Sequence, residues 1–350
     1  DALIKKGIDV VILDNLSKPV HLKGKPSYIN PKAKFILGDI NDREVLENAM
    51  VDVDYIFNFA AFQDYLPYFS KFFITNCVGN ALIYEIAVEK KLKIKKIIVA
   101  SSQFVNGEGA YVDRSGKKYF PSMRSENDLK RGIWEHLDDN GEILNWSWTK
   151  ENHHSPPNQY AISKYSQEIM SINFGKRYGI PTTAMRYSIV QGERQSFYNM
   201  YSGALRIFSM YYYFNKVPII YEDGEMRRDF VNIHDVVKAN LLVLNNSKSD
   251  FETFNIGGGK DIAIKDFCKE KKISSIHINF FEEHELDFLK NEGFLIRYGE
   301  QFHFVNDNYN TFEDFLNKLS YKIRKSINKE RQSIKHQGID IEIIKNEEFN

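Results

Sequence analysis

The sequence predicts an α/β fold in which a doubly wound parallel sheet occupies most of the chain. Apolar runs of strand length alternate with segments of helical periodicity over the first two thirds of the 350 residues. This alternation is the pattern of parallel strands joined by crossover helices. Several runs are almost continuously apolar, as expected for strands buried on both faces. Polar residues close several of them, and ligands bind at this carboxyl edge in such folds.

The elements of this fold can be placed in order along the chain. Ala2 to Lys6 forms the end of a helix, and Gly7 is the residue just past its C-terminus. The predicted strands that follow cover residues 8–15, 35–40, 53–61, 96–102 and 180–187, and the predicted helices cover residues 45–50, 75–91, 160–178 and 201–208.

Composition excludes several classes of protein. The chain has 47 Lys plus Arg and 47 Asp plus Glu, so no overall charge attracts nucleic acid or an anionic membrane. Its two cysteines, Cys77 and Cys268, lie outside any metal or disulfide spacing. No apolar run approaches the ~18 residues of a membrane span. We therefore expect a cytoplasmic enzyme without a metal centre.

A tyrosine and a lysine four residues apart form the candidate catalytic pair. Tyr160 and Lys164 share one face of the predicted helix. A nearby positive charge lowers the pKa of a phenol from its usual ~10, which makes it usable as an acid/base catalyst. When the spacing is taken alone, two ordinary helix-surface residues explain it better. We interpret the pair as catalytic because of its context.

Asp14 closes the first strand, at the position where an acid binds the adenosine ribose in dinucleotide folds. A carboxylate there repels a 2′-phosphate, so NAD is favoured over NADP. An ordinary turn-forming aspartate is the alternative. The glycine-rich turn that carries the pyrophosphate lies one strand earlier in such folds, and no such turn precedes Asp14. The sequence thus predicts a Rossmann sheet lacking its first strand and Gly-rich turn.

An ordered set of motifs resembles the extended short-chain dehydrogenase/reductases, the family of NAD-dependent epimerases and dehydratases. It comprises Asp14, Gly38-Asp39-Ile40, Ala60-Ala61-x-Gln63, Asn76, Ser101-Ser102, Tyr160-x-x-x-Lys164, Arg186-Tyr187, Arg228-Asp229-Phe230 and Phe254-Asn255-Ile256-Gly257. We expect residues 1–268 to form this domain.

The resemblance implies a role for each site residue. Ser102, Tyr160 and Lys164 would form the catalytic triad, with Ser102 orienting the reacting sugar hydroxyl. The alternative for Ser102 is a turn cap. Substrate contacts would come from Ser102, Gln103, Tyr160 and the Arg228 guanidinium, which suits a diphosphate. NAD would be bound by Asp14, Asn15, Asp39, Ile40, Ala60, Ala61, Gln63, Asn76, Ser101, Tyr160, Lys164 and Tyr187.

Two features favour an epimerase over a dehydratase. Dehydratases of this family carry Thr-Asp-Glu where this chain has Ser102-Gln103-Phe104, so the acid and base for loss of water are missing. An aromatic insert, residues 108–157, holds all three tryptophans. It is similar to that of sugar-nucleotide 4-epimerases of the dTDP-L-rhamnose type. The insert is a lid, a pocket wall or an oligomer contact in one interpretation, and a small satellite cluster in the other.

Residues 273–350 do not continue the epimerase-like set of motifs. The Ser274-Ser275-x-His277, Gln301-Phe302-His303 and Arg324-Lys325 runs resemble part of the peptidoglycan-biosynthesis-like acyltransferases of the GNAT/FemAB type. Such a segment would be a partial α+β fold. Thr311 and Asp314 predict a capped helix start. His277 and His303 are as readily structural as catalytic, and no catalytic residue is assigned to this segment.

The sequence as a whole leads to the hypothesis of an NAD-dependent nucleotide-sugar 4-epimerase in which Tyr160 is the base. A nucleotide sugar is the expected partner, nucleic acid is not, and a homodimer is the candidate assembly. Two alternatives stay open. One is a non-catalytic truncated or fused chain, and the other is a bifunctional enzyme of envelope polysaccharide synthesis with an acyltransferase half.

Overall fold

A computed structural model of the chain describes residues 1–196, 201, 203–214, 217–264 and 311–336. The chain divides into two compact units, residues 1–280 and 281–350. The first unit contains the predicted α/β domain. The boundary predicted between residues 268 and 273 lies outside the described residues and stays a prediction, as do the segments with His277 and His303.

A four-stranded parallel sheet forms the centre of the first unit. Its strands are β3 (Tyr55–Asn58), β4 (Lys96–Ser102), β8 (Thr182–Tyr187) and β11 (Thr253–Ile256), in the order β11-β8-β4-β3. Strand β4 is almost entirely buried, as the apolar run at residues 97–100 predicts. The register places Ser101 opposite Arg186 and Ser102 opposite Tyr187. The carboxyl end of β4 therefore lies directly beside the end of β8.

Two earlier strands form a separate parallel pair. They are β1 (Val11–Asp14) and β2 (Lys34–Leu37), and they follow the short helix α1 (Ala2–Lys5). Leu13 of β1 packs against the same apolar cluster as Ile56 of β3. The strands that end at Asp14 and Asn58 thus rest on a common layer of helices.

Helices cover both faces of the sheet, which confirms the doubly wound prediction. Helices α2 (Arg43–Ala49), α4 (Gly79–Glu89) and α6 (Gln159–Tyr178) lie along the chain between the strands. Ile83 and Ile86 of α4 pack against Ile97 and Val99 of β4. On the other face, Leu244 of α8 (Ile233–Leu244) packs against Ile98 and Met185. Helix α3 (Phe69–Phe73) leads through a π-helical turn (Ile74–Val78) into α4.

The insert between β4 and α6 forms a small antiparallel sheet of its own. Its strands are β5 (Ala110–Val112), β6 (Lys118–Tyr119) and β7 (Asn145–Ser147), in the order β6-β5-β7, with helix α5 (Glu126–Lys130) between β6 and β7. The returning segment is anchored on the main domain, where Ser155 N–H donates to the Val105 carbonyl. Asn255 Nδ2 also donates to the Thr149 carbonyl.

A second three-stranded sheet, in the order β12-β10-β9, completes the first unit. It consists of β9 (Ile189–Gln191), β10 (Arg227–Asn232) and β12 (Asp261–Ala263), and helix α7 (Ala204–Tyr213) precedes β10. Phe208 of α7 packs against Ile220 and Ile264. In the second unit, α9 (Phe312–Lys318) and α10 (Tyr321–His336) are described. Thr311 and Asp314 form the predicted capping box of α9.

None of the helices in these described ranges is both long and apolar enough to cross a membrane.

Candidate active site

Ser102 and Tyr160 meet where the fold predicts a ligand site. Tyr160 lies in the first turn of α6, which Asn158 caps by accepting a hydrogen bond from Ala161 N–H at 2.9 Å. Its side chain is buried, and its phenol oxygen accepts a hydrogen bond from Gln63 Nε2 at 2.9 Å. Ser102 is the last residue of β4, and its hydroxyl accepts from Phe104 N–H at 3.2 Å. Ser102 therefore forms the turn cap that was its alternative role, and it also lies close to Tyr160.

Burial dominates the electrostatics of Tyr160. It raises the pKa of the phenol above its usual value, and the Gln63 amide and the Ser102 hydroxyl offset part of that rise. Sequence reasoning expected Lys164 to lower this pKa, and that expectation is wrong for the protein alone. Helical spacing places the two side chains on one face, but it does not set which neighbour the ammonium contacts.

Lys164 is an almost completely buried amine. Its Nζ donates a hydrogen bond to Gln167 Oε1 at 2.7 Å, one turn farther along the helix. Burial lowers the pKa of Lys164 to about 7. Within the described residues, Gln167 Nε2 has no hydrogen-bond partner. Two spare amine N–H groups and a buried amide donor fit a ligand rich in hydroxyl groups, such as a ribose.

Asn76 fixes the loop that carries Gln63. It lies in the π-helical turn, fully buried, where its Oδ1 accepts from Phe62 N–H at 2.8 Å and its Nδ2 donates to Ser163 Oγ at 2.9 Å. Ser163 in turn donates to the Tyr160 carbonyl at 2.8 Å. Asn76 thereby ties the Gln63 loop to the helix of Tyr160. Its direct contact with a cofactor stays a prediction.

Three of the predicted cofactor-binding residues, Asp14, Asn15 and Asp39, come together at the ends of β1 and β2. Asn15 Nδ2 donates to Asp39 Oδ2 at 2.7 Å. Burial opposes ionisation of Asp39, but hydrogen bonds from Asn41 and Asn15 outweigh it and lower the pKa of Asp39. Asp14 Oδ1 accepts from Leu16 N–H at 2.7 Å, and the Asp14 side chain stays 41% exposed. These acceptors at one edge fit the hydroxyl groups of an adenosine.

Five other predicted residues lie near the carboxyl ends of the strands. Ile40 follows β2, and Ala60 and Ala61 follow β3, all at least partly accessible. Ser101 is buried, and its hydroxyl donates to Glu168 Oε2 at 2.7 Å. Tyr187 donates its hydroxyl to Asn240 Oδ1 at 2.8 Å. Their contacts with NAD stay predictions.

An aromatic cluster around Tyr160 was missed by sequence reasoning. The ring of Tyr201 lies 5.0 Å from that of Tyr160 and 4.8 Å from that of Tyr65. Phe104 lies 6.2 Å from Tyr160, and the fully buried Phe72 belongs to the same cluster. The 26 Phe and 20 Tyr of the chain hide such a cluster in the sequence, because its members are far apart along the chain.

Arg228 lies among charged residues of the insert and of the turn before β10. Burial lowers the pKa of Arg228, while the carboxylates of Glu108 and Glu222 act in the opposite direction. Arg124 of the insert forms two hydrogen bonds with Glu222, at 2.8 and 3.1 Å. The positive charge of Arg228 also acts on Tyr65, where it opposes the rise in pKa that burial causes. The insert therefore borders the predicted diphosphate site.

Gln103 is the remaining predicted substrate residue. Its Oε1 accepts a hydrogen bond from Ser188 Oγ at 2.9 Å, and Ser188 also donates to the Asp229 carbonyl. Gln103 is thus held between β4 and the strand of Arg228.

Within the described part of the chain, no group of three His, Cys, Asp or Glu residues could hold a metal ion.

Comparisons with known proteins agree with this geometry. The model of the NAD-dependent epimerase/dehydratase family matches residues 1–124 and 139–257. A second model, FemAB-like, described as peptidoglycan biosynthesis/recognition, matches residues 261–350.

Three similar proteins carry epimerase names. A dTDP-L-rhamnose 4-epimerase of Burkholderia thailandensis is 28% identical over 74% of this chain and 72% of its own length. A putative UDP-glucose 4-epimerase of Methanocaldococcus jannaschii is 31% identical over 76% of this chain and 74% of its own length. The crystal structure of a UDP-glucose 4-epimerase of Thermotoga maritima with UDP-glucose has a TM-score of 0.60 at 27% identity, covering 81% of each chain.

Proposed function

We propose that this chain, which belongs to the NAD-dependent epimerase/dehydratase family, inverts the configuration of a hydroxyl-bearing carbon, C4, in a nucleotide sugar. The observation that carries the proposal is the buried phenol of Tyr160 beside Ser102 at the carboxyl edge of the parallel sheet. The relatives named 4-epimerases support the position of the reacting carbon.

NAD fits the residues at this edge. Asp14, Asn15 and Asp39 offer hydrogen-bonding groups for an adenosine ribose, and Lys164 offers a buried amine with spare donors. When bound, NAD supplies the acceptor for the hydride and returns it, so that the sugar carbon passes through a ketone. Lys164, with a pKa of about 7, is able to change its charge near neutral pH.

In the phenolate form Tyr160 takes the proton of the reacting hydroxyl and returns it when the ketone is reduced; the hydrogen bond from Gln63 favours this charged form against the burial that raises its pKa. Its phenol is hydrogen-bonded by Gln63, which leaves the second lone pair of the oxygen for a substrate hydroxyl. Ser102 orients that hydroxyl and stabilises the charge that develops on its oxygen. The rings of Phe104 and Tyr201 lie 6.2 and 5.0 Å from the Tyr160 ring and form part of the wall around this proton transfer.

Arg228 is the proposed ligand of the nucleotide diphosphate. Its guanidinium donates to the Arg227 carbonyl at 2.8 Å, and it forms no ion pair with a carboxylate in the described residues. A guanidinium in this state suits bidentate binding of phosphate oxygens. We infer that the base and sugar are selected by neighbouring residues, among them Arg124 of the insert and its partner Glu222 in the turn before β10.

Epimerisation is favoured over dehydration because of the residues after Ser102. Gln103 accepts from Ser188, and the ring of Phe104 packs on Tyr160. Neither side chain can serve as the acid or base that loss of water requires.

A second candidate function rests on the match of residues 261–350 to the FemAB-like model. It is a bifunctional role in envelope polysaccharide synthesis, in which an acyltransferase part acts beside the epimerase. For either function, we propose that the protein is cytoplasmic and forms a homodimer. Turnover of an aminoacyl donor by the purified chain would support the second function.

Replacing Tyr160 by Phe tests the epimerase proposal. The purified protein is incubated with NAD and with UDP-glucose or dTDP-L-rhamnose, and both epimers are quantified by chromatography. We expect Tyr160→Phe to lower kcat by about 10²- to 10⁴-fold, the usual contribution of a positioned acid/base. Tyr178→Phe, at the exposed end of the same helix, is the matched control and should retain wild-type turnover. Turnover by Tyr160→Phe at the wild-type rate would contradict the mechanism.

A further inference from the structure

A buried ion pair lies directly behind the proposed site. Arg186 of β8 and Glu168 of α6 are 2% and 5% exposed. Arg186 Nε donates to Glu168 Oε2 at 2.9 Å, and Arg186 Nη2 donates to Glu168 Oε1 at 2.7 Å. This is a bidentate arrangement, which fixes direction as well as distance. The mechanism above uses neither residue.

The same pair reaches the insert through its remaining hydrogen bonds. Arg186 Nη1 donates to Asn106 Oδ1 at 2.9 Å and to the carbonyls of Glu151 and His153 at 3.0 Å each. Glu151 and His153 lie in the segment by which the insert returns to α6. Arg186 therefore joins this segment to the central sheet.

Glu168 also reaches the strand of Ser102. Its Oε2 accepts from Ser101 Oγ at 2.7 Å, and Ser101 immediately precedes Ser102. Along α6, Tyr160, Lys164 and Glu168 are spaced at intervals of four residues, so they lie near one face of the helix. One carboxylate thus connects the helix of Tyr160 with the strand of Ser102.

We propose that Arg186 and Glu168 are positioning residues that set the Tyr160 phenol relative to the Ser102 hydroxyl and couple this spacing to the docking of the insert. The proposal rests on the proposed roles of Tyr160 and Ser102. A buried ion pair adds little net stability compared with apolar residues of the same volume. Apolar contacts would join α6 to the sheet without fixing its register, whereas the guanidinium fork holds one geometry.

Glu168→Gln tests the proposal, with Asp250→Asn as its matched control. Asp250 pairs at 2.6 Å with the buried Lys96, at the opposite, amino end of β4. Both variants change a carboxylate to an amide in an ion pair with a buried cation, Arg186 of β8 in one case and Lys96 of β4 in the other. We expect both to melt at lower temperature. Only Glu168→Gln should lower kcat, by about 10- to 100-fold as for a displacement of roughly 1 Å, with KM changed less than about two-fold.

A crystal structure of each variant gives a readout that requires no turnover. In Glu168→Gln we expect the hydrogen bond between Gln63 Nε2 and the Tyr160 phenol, 2.9 Å in the wild type, to lengthen or break. In Asp250→Asn it should remain. Asn106→Ala, which removes one acceptor of Arg186 and keeps the ion pair, is a milder variant and should lower kcat by less than Glu168→Gln.

Three outcomes would overturn the inference. They are an unchanged Tyr160 position in Glu168→Gln, an equal loss of kcat in Asp250→Asn, and an unchanged kcat in Glu168→Gln. If the wild type converts no nucleotide sugar, the proposed function fails, and the crystal structures still decide whether Glu168 positions Tyr160. If the wild type is active and Glu168→Gln has the same kcat, the positioning role is rejected and the proposed function stands.

Discussion

Replacing Lys164 by Met should make the stability of the cofactor-free protein less dependent on pH. Below pH 7 the ammonium is protonated in both the folded and the unfolded chain. Between pH 7 and 10.5 the unfolded chain retains a proton that the folded protein has lost, because burial lowers the pKa of Lys164 from 10.5 to about 7. The free energy of unfolding of the wild type therefore rises with pH over this window. Met has similar length and no charge, so it removes this contribution.

The size of the effect follows from the two pKa values. The difference between 10.5 and about 7 corresponds to about 5 kcal/mol over the whole window, at about 1.4 kcal/mol for each pH unit. We expect Lys164→Met to be more stable than the wild type at pH 7.5. This advantage should shrink by roughly 2–3 kcal/mol when the pH is raised to 9.5.

Urea denaturation of the two proteins at several pH values, followed by circular dichroism, measures this difference. Lys176→Met is the matched control, since Lys176 lies exposed on the same helix and its ammonium is in water in both states. Its stability relative to the wild type should not vary with pH. A constant difference for Lys164→Met, or an advantage that grows with pH, would refute the assignment of Lys164 as a destabilising buried amine.

Two further predictions concern the diphosphate site and the base of the insert. Arg228→Lys should weaken binding of UDP by about 10-fold in calorimetry, because an ammonium cannot form the bidentate contact. Arg227→Lys is the control, since the exposed Arg227 side chain pairs with Asp261, and it should leave the affinity for UDP unchanged. Equal losses of affinity in the two variants would argue against a diphosphate site at Arg228. Gly107→Ala should lower the free energy of unfolding by about 1–3 kcal/mol, since Gly107 has φ +63° and an added Cβ would lie 2.4 Å from the Ser155 carbonyl oxygen. Gly141→Ala, with φ +81° and open space around the Cβ, should cost less in the same urea titration, and the reverse order would contradict the close approach of the insert.

Much of the fold could be predicted because its signals are local. The prediction gives strand β4 the bounds Lys96–Ser102 that the structure has, and the long helix that begins near Tyr160 differs by one residue. Strand ends were less certain. The predicted strands at residues 8–15 and 53–61 shorten to Val11–Asp14 and Tyr55–Asn58, because apolar residues continue past the last backbone hydrogen bond of the ladder.

The sequence by itself predicted which residues would stand at the candidate site. The fold class and the carboxyl-edge location follow from strand order, which is a property of neighbouring residues, and Ser102 and Tyr160 are predicted from the family resemblance. Tertiary structure alone decided their electrostatics and their support. Tyr160 has a raised pKa and Lys164 a lowered one because both are buried. Only folding brings Arg186 and Glu168 together with the insert, since a partner remote in sequence leaves no local pattern.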